Sequence, residues 1–532
     1  MPFPHISDQT LAGVARWVAA RMARVDRPGL AERASGIAGR HIHEPRLKAD
    51  IFAEVAASRL ARGHTPRHLR QAYAAELTCA DAHYAAGRKG EAAQSVAKAL
   101  LLAFHRVPHL DGLSSPLAED AQRFTAPLRR SRTMRALRAG RGRKEAAVAP
   151  PADRPVRILI AYSANKNFLA ELISRYEGHP GAELRVLDTA ADPELAPLAK
   201  GMGRMITRGL GGQVAYGQQA EAALRPHLDW ADVVFIDWCA AAAAFFTLVD
   251  PGTARIVVRL HSYEAFTYWP HLVDFSRVSD LVFVSEHLRD LCTSAVPRLK
   301  EPGGPQLHVI DNAVILGRFV RPKNPAARFA VGLLGTSQVA KDPRWALEVL
   351  RLVRQKDTRY RLHLIGSPLT AAGSPGAERY HRAFSKELAP LEAAGWARQL
   401  GRTEDVPGAL TEVGVILNSS VREGWPLSVV EGAVSGAVPV VRDWPYFSAT
   451  PHGAGALFPS SWIVATPAEA ADRILAVTAS EETWLEAGRE ASEHALGSWD
   501  WAVVGQRCDR LLMGPDRDVC SPSENAIGKA AE

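Results

Sequence analysis

The segment Val413-Gly-Val-Ile-Leu-Asn-Ser-Ser-Val-Arg-Glu423-Gly-Trp-Pro-Leu-Ser-Val-Val-Glu431 decides the fold of the chain. Its apolar run, 413–417, predicts a short buried strand, and three polar residues follow it. Pro426 suits the first position of a helix, because the N–H that proline lacks would have no partner there. A buried strand that passes into a helix predicts one unit of a parallel sheet, with the helix N-terminus at the carboxyl edge of that sheet.

Strands of the same kind recur on both sides of this segment, and helical stretches separate most of them. The first series comprises residues 157–161, 183–187, 232–236, 255–260, 281–284 and 307–310. The second comprises residues 329–334, 360–365, 397–400, 413–417 and 437–441. Two such series predict an α/β protein with two Rossmann-like domains in tandem and a cleft between them at the carboxyl ends of both sheets.

The N-terminal quarter of the chain shows only helical periodicity, in residues 11–22, 51–60, 69–84 and 92–104. The stretch from Ala80 onward is similar to one tetratricopeptide helix pair with its turn at Gly87, but a short helical bundle fits equally well. We therefore predict an all-α domain over 1–122, a basic and proline-rich linker over 123–154, α/β domains over 155–322 and 323–498, a helix that crosses back over 499–514, and a tail over 515–532.

The composition excludes several classes of protein. Hydrophobic residues are 47% and charged residues 23% of the 532, and no apolar run is long enough to span a membrane. The five cysteines are scattered, which argues against disulfides and a zinc site and predicts a reducing, cytoplasmic compartment. The first residues also lack the layout of a secretory signal.

The net charge of +7 would suit a nucleic-acid-binding protein if it were spread over the chain. However, residues 123–144 contain nine basic residues and no acid, so the rest of the chain carries about −2. We therefore predict no nucleic-acid partner. The basic segment is either a solvated linker or a peripheral contact with anionic headgroups at the inner face of the membrane.

Two common nucleotide-binding motifs are missing from the sequence. The first strand is followed by Tyr162-Ser-Ala-Asn-Lys-Asn167, which lacks the glycines of a G-x-G-x-x-G turn, and no Walker A loop is present. A dehydrogenase or an NTPase is therefore disfavoured.

Two glutamates flank the start of the predicted helix after residue 426. The N-terminus of a helix presents free N–H groups and the positive end of its dipole, which suits a diphosphate. Glu431 would then lie where a carboxylate can accept hydrogen bonds from a ribose diol, and Glu423 could reach a hydroxyl of a bound sugar. Acids are also favoured near any helix start, so this spacing alone does not distinguish the two interpretations.

The wider stretch from Val415 to Pro439 resembles the donor-site signature of the family-4 glycosyltransferases, which have the GT-B fold. That signature is a strand, a serine, two residues, Glu-Gly-Phe-Gly, a second glutamate after seven intervening residues, and Gly-x-Pro-Val-Val. Here it reads Ser420, Glu423-Gly-Trp-Pro, Glu431 and Gly436-Ala-Val-Pro-Val-Val441. Four other segments are similar to the family: Val309-Ile-Asp-Asn312 between the domains, Gly335 with Lys341, Arg259-Leu-His261-Ser, and Ser498-Trp-Asp-Trp501 near the end.

The resemblance implies a hexosyl transfer from a nucleotide sugar with retention at the anomeric carbon and with no metal and no cofactor. The expected acceptor is a glycan or a lipid-linked glycoconjugate of the cell envelope. Lys341 would neutralise charge on the leaving diphosphate, Glu423 and His261 would contact the donor sugar, and Glu431 would hold the ribose. The implied donor site comprises Gly335, Thr336, Ser420, Arg422, Gly424, Trp425, Pro426, Leu427, Ser428 and Glu431.

Three positions depart from the family pattern. Thr336 replaces an arginine, for which Arg344 or Arg422 would substitute; Pro426 replaces a glycine; and Asn165-Lys-Asn167 replaces a Gly-Gly pair. Two alternatives therefore stay open. One is a sugar-nucleotide epimerase or hydrolase of the same architecture. The other is a scaffold protein that binds a protein partner through its helical domain and whose transferase domain is inactive.

Overall fold

The computed structural model describes residues 7–514 apart from 26, 313, 371 and 372. The predicted tail over 515–532 lies outside the described residues. Within the described part, no helix is both long and apolar enough to cross a membrane.

In the described part of the chain, nine helices precede the first strand. Their bounds are α1 Asp8–Arg24, α2 Pro28–His41, α3 Pro45–Leu60, α4 Leu69–Ala85, α5 Lys89–Ala103, α6 Arg106–His109, α7 Pro116–Glu119, α8 Ala121–Arg130 and α9 Arg132–Arg138. Helices α4 and α5 pack as a pair and turn at Gly87, whose φ of 75° suits glycine.

The predicted linker over 123–154 is different in the structure, because α8 and α9 occupy its first half. Phe124, Leu128 and Met134 on these helices are buried in the helical core. Arg138 donates to His271 Nδ1 at 2.5 Å, and Arg143 donates to the carbonyl of Gly252 at 2.8 Å. The apolar side chains thus extend the core of the helical domain. The two arginines form hydrogen bonds with the first α/β domain instead of reaching solvent.

The first α/β domain contains a six-stranded sheet. Its elements are β1 Val156–Tyr162, α10 Ala170–Tyr176, β2 Ala182–Asp188, α11 Leu195–Ala199, α12 Met202–Gly209, α13 Val214–Trp230, β3 Val233–Asp237, α14 Ala241–Phe246, β4 Arg255–Leu260, α15 Ser262–Ala265, β5 Asp280–Phe283, α16 Glu286–Ala295 and β6 Gln306–Val309. The strand order is β2-β1-β3-β4-β5-β6, and all pairs are parallel.

The second α/β domain repeats this plan. Its elements are β7 Ala330–Leu334, α17 Pro343–Lys356, β8 Arg361–Ile365, α18 Pro375–Ala393, β9 Ala397–Gly401, α19 Val406–Leu410, β10 Val415–Asn418, α20 Leu427–Val434, β11 Val438–Arg442, α21 Ala454–Leu457, β12 Ile463–Val464, α22 Pro467–Val477 and α23 Glu481–Trp499. The order is β12-β11-β10-β7-β8-β9, again all parallel. Fully buried strands such as β10 and β7 explain the apolar runs in the sequence.

The last helix, α24 Trp501–Met513, returns to the first domain. Its residues Val504, Leu512 and Met513 pack in the same apolar cluster as β1 and β3. Asp509 on this helix forms a buried ion pair with Arg175, at 2.9 Å. Another apolar cluster runs from the helical domain through both α/β domains, so the three parts share a continuous core.

Candidate active site

A cavity of about 740 Å³ lies between the two α/β domains. Its walls are formed by residues that follow the strands of both sheets, so it lies at their carboxyl ends, as the sequence predicts. Ten of the thirteen predicted site residues line it: His261, Gly335, Lys341, Arg422, Glu423, Gly424, Trp425, Leu427, Ser428 and Glu431.

The other three predicted residues do not line the cavity but lie beside it. The buried hydroxyl of Thr336 donates to the carbonyl of Ser367 at 3.1 Å. Ser420 donates to Glu423. Pro426 occupies the N-cap position of α20, one residue before the helical position that we expected. Ser420 and Pro426 thus position the residues that face the cavity.

Glu423 and Lys341 form an ion pair in the cavity wall, with Lys341 Nζ 2.7 Å from Glu423 Oε1. The same oxygen accepts from Ser420 Oγ at 2.5 Å and from Asn418 Nδ2 at 3.1 Å. Burial alone would raise the pKa of the Glu423 carboxyl, but the Lys341 ammonium and the two hydrogen bonds outweigh it and hold the pKa below its ordinary value. Glu423 is therefore ionised at neutral pH.

Glu431 experiences the opposite environment in the second turn of α20. Its side chain is 9% exposed and forms no ion pair or hydrogen bond with another side chain in the described part of the chain. Burial raises the pKa of its carboxyl to about 7, although the Arg318 cation acts in the other direction. Glu431 thus offers free acceptor oxygens to a ligand in the cavity.

Two glycines bring the backbone of the second domain close to the cavity. Gly335 follows β7 with φ 80°, and Gly366 follows β8 with φ 115°, conformations that other residues rarely adopt. A Cβ on Gly366 would lie 3.3 Å from the Gly335 nitrogen. Both lie near Lys341, so backbone and ammonium together form a recess suited to phosphate oxygens.

His261 lies in the opposite wall, directly after β4. Its Nε2 is 3.0 Å from Asp237 Oδ1, and Arg259 pairs with the same carboxylate at 2.7 Å. Burial lowers the pKa of His261 despite the Asp237 charge, so the ring is neutral at neutral pH. Because the ionised carboxylate can only accept, the neutral ring carries its proton on Nε2.

The comparisons with known proteins agree with this architecture. No protein-family model and no curated protein matches the chain. Anabaena HepE, in a structure with UDP-glucose, is 15% identical with a TM-score of 0.50 and covers 68% of this chain and 100% of its own. Sucrose-phosphate synthase from Thermosynechococcus elongatus is 14% identical (TM-score 0.48, 67% and 98% covered). TarM of S. aureus is 16% identical (TM-score 0.45), and the match covers 56% of this chain and 58% of the length of TarM.

The chain has the GT-B fold. At these identities the likeness concerns the fold alone, so the chemistry of the cavity has to be argued from its own residues.

Within the GT-B cavity, the structure adds residues that sequence reasoning missed. Phe168 and Trp238 line the first-domain wall, and their rings contact His261 with centroids 5.3 and 4.3 Å away. Both have positive φ, 67° and 68°, which is unusual for large side chains and concentrates at functional sites. No sequence pattern reveals such a conformation. Asp237 could have been found, because it ends β3 beside Arg259 in the register of β4.

The structure also distinguishes between the two arginines that we considered as substitutes for the missing cation. Arg344 pairs with Glu387 and does not line the cavity. Arg422 lines it, is 6% exposed, and has a buried Nε without a partner in the described residues. Arg402, which follows β9, also lines the cavity and has no ion pair within the described residues.

Proposed function

We propose that this GT-B protein is a glycosyltransferase that moves a hexosyl unit from a nucleoside diphosphate sugar to a glycan or lipid-linked acceptor of the cell envelope. The observation that carries the proposal is the arrangement of two glutamates in one cavity. Glu423 is held ionised beside Lys341, whereas Glu431 keeps free acceptor oxygens. The Lys341 ammonium suits the diphosphate of such a donor, and the free Glu431 carboxylate suits the diol of its ribose.

Lys341 and Arg422 are the cations that we assign to the diphosphate, together with the N-terminus of α20. As the bond between the anomeric carbon and the phosphate oxygen breaks, its electron pair stays on that oxygen, and a fixed ammonium stabilises the charge that develops. The proposal thus assigns to protein cations the role that a metal ion has in other transferases.

Retention is proposed from the resemblance of the donor-site signature. Among the described residues, Glu423 and Glu431 are the carboxylates that line the cavity, so the proposed step uses no covalent nucleophile. Glu423 is engaged by Lys341, and Asp237 is buried behind His261. In the step that we propose, the acceptor oxygen bonds to the anomeric carbon on the face that the diphosphate leaves. The acceptor's proton passes to the departing phosphate oxygen, so no protein base is needed.

The acceptor would bind at the first-domain wall, where Phe168 and Trp238 offer aromatic faces. Asn165 and Asn167 line the same wall and supply amide donors and acceptors. Aromatic faces next to a few polar groups suit a sugar ring, which has apolar C–H faces and polar edges. This wall also contains the Asn165-Lys-Asn167 segment that replaces the family's Gly-Gly pair.

The experiment that tests the proposal is calorimetric titration and donor hydrolysis with a panel of UDP-, GDP- and ADP-sugars. We expect one donor to bind and to be hydrolysed slowly, and Lys341→Met and Glu431→Ala to lower the rate of hydrolysis strongly. Lys300→Ala and Glu482→Ala, two exposed positions, serve as matched controls. If no sugar nucleotide binds, or if Glu431→Ala behaves as the control, the transferase proposal fails.

One observation favours the second candidate function, a scaffold with an inactive transferase domain. Thr336 supplies no cation to the phosphate recess and turns its hydroxyl to Ser367 instead. This candidate predicts donor binding without hydrolysis or transfer, so the same donor panel separates it from an active enzyme. An epimerase or hydrolase would instead release product from the donor without any acceptor, at a rate that no glycan increases.

A further inference from the structure

The first two helices and the turn between them carry apolar side chains that are exposed to solvent. Five large ones are 41–68% exposed: Val14, Trp17, Val25, Leu30 and Ile37. The described part of the chain exposes seventeen large hydrophobic side chains in all, and five of them fall within these 24 residues. Clusters of this kind on soluble proteins usually mark interaction sites. We refer to these five residues as the α1–α2 face.

The fold itself does not require these apolar side chains. The inward sides of α1 and α2 pack through small residues, with Ala12, Ala15 and Ala38 beside Ile42 and Ile51. Trp17, at 68% exposure, contributes little to that packing. The largest apolar side chain of the helix pair is thus exposed to solvent. Its contact with water is unfavourable unless a partner covers it.

Basic residues outnumber acids around this face. Residues 14–41 contain six arginines and two acids, Asp26 and Glu32. Glu32 is buried, and Asp26 lies outside the described residues. Arg16 pairs with Glu54. The other five are exposed and form no ion pair within the described residues: Arg21, Arg24, Arg27, Arg33 and Arg40.

We propose that the α1–α2 face binds the surface of an anionic lipid bilayer. Trp17 and its apolar neighbours would enter the headgroup region, where amphipathic aromatic rings are favoured, and the unpaired arginines would contact lipid phosphates. Exposed apolar groups flanked by an excess of cations over acids complement a negative surface. In the segment 123–144, by contrast, Arg138 and Arg143 are held by the first α/β domain. This inference does not depend on the proposed function.

Co-sedimentation with phosphatidylcholine vesicles, with and without phosphatidylglycerol, tests the proposal on the full chain. We expect binding only to the vesicles that contain phosphatidylglycerol, and weaker binding as salt rises. Trp17→Ala should weaken binding roughly tenfold, and Arg21→Glu with Arg24→Glu about fivefold or more for each charge. Since these side chains are exposed, circular dichroism and melting temperature should stay unchanged.

Two matched variants control for general effects. Trp396→Ala removes another exposed tryptophan, and Arg130→Glu with Arg132→Glu removes exposed cations of the segment 123–144. Both should bind vesicles as the wild type does. The proposal is overturned if the wild type does not bind anionic vesicles, or if only the Arg130/Arg132 variant loses binding. It is also overturned if Trp17→Ala changes the oligomeric state without lipid, because the face would then be a protein interface.

Discussion

Replacing Glu431 by glutamine should make the ligand-free protein more stable at alkaline pH. The carboxyl has a pKa of about 7 in the fold against 4.5 as its ordinary value, since burial disfavours its charged form. Above pH 7 this difference costs the folded state about 3 kcal/mol. A domain of this size gains about 2–4 °C of melting temperature per kcal/mol. With allowance for relaxation around the charge, we expect Glu431→Gln to melt about 3–10 °C higher at pH 8.

The raised pKa of Glu431 determines how the stability of the folded protein changes with pH. Between pH 4.5 and 7 the folded protein holds a proton on Glu431 that the unfolded chain has released, so stability falls as pH rises through this window. At pH 5 most of the cost has disappeared, and the difference between variant and wild type should shrink below about 1 kcal/mol. Thermal melts at both pH values, without ligand, measure this directly.

Glu423→Gln is the matched control, because its carboxyl has the opposite environment. Its pKa is lowered by Lys341 and two hydrogen bonds, so ionised Glu423 stabilises the fold above pH 4.5 and stops doing so as pH falls through its lowered pKa. Glu423→Gln should therefore melt below the wild type at pH 8. If Glu431→Gln is no more stable than the wild type at pH 8, or if its advantage is the same at pH 5, the argument from burial is refuted.

Three further predictions follow from the cavity and the core. Lys341→Met should lower the turnover of the donor about 100-fold to 1000-fold, measured by steady-state kinetics, because one fixed charge facing the leaving group is lost; an unchanged turnover would contradict this. Trp238→Ala should weaken transfer to glycan acceptors roughly tenfold while donor hydrolysis persists; equal losses in both assays would assign Trp238 to the donor instead. Asp509→Asn should lower the free energy of unfolding by about 3–5 kcal/mol in denaturant, because it leaves Arg175 buried without its counter-charge. A loss below about 1 kcal/mol would show that this ion pair does not fix α24.

The strands could be predicted from the sequence because each is a short, fully buried run. Eleven predicted runs correspond to β1–β11, usually within one or two residues, as for 413–417 and β10 Val415–Asn418. The strand β12 was missed, since Ile463–Val464 is too short to show a pattern. Helix α2 was missed because Gly36 and Gly39 weaken the helical signal; there they allow close approach of His68 and Phe52.

The candidate site could be predicted only where a linear pattern exists. Glu423 and Glu431 belong to one strand–helix unit, so their spacing was informative. The ion pair between Lys341 and Glu423 joins residues 82 positions apart and follows from tertiary packing. Trp238 belongs to none of the sequence motifs, and only the structure, in which its φ is 68°, places it beside the cavity.

The charges of the cavity are arranged for an anionic ligand. The cavity is lined by the basic side chains of Lys341, Arg402 and Arg422. Glu423 is ionised and His261 is neutral. Glu431 is about half ionised at pH 7, because burial has raised its pKa to that value. The cavity therefore has an excess of positive charge before a ligand binds, which suits a diphosphate. Burial of the ionised Glu431 carboxyl destabilises the free protein. A ligand diol that donates hydrogen bonds to Glu431 favours the ionised form and offsets this cost. The unfavourable burial of Glu431 is thus an argument for its role in binding.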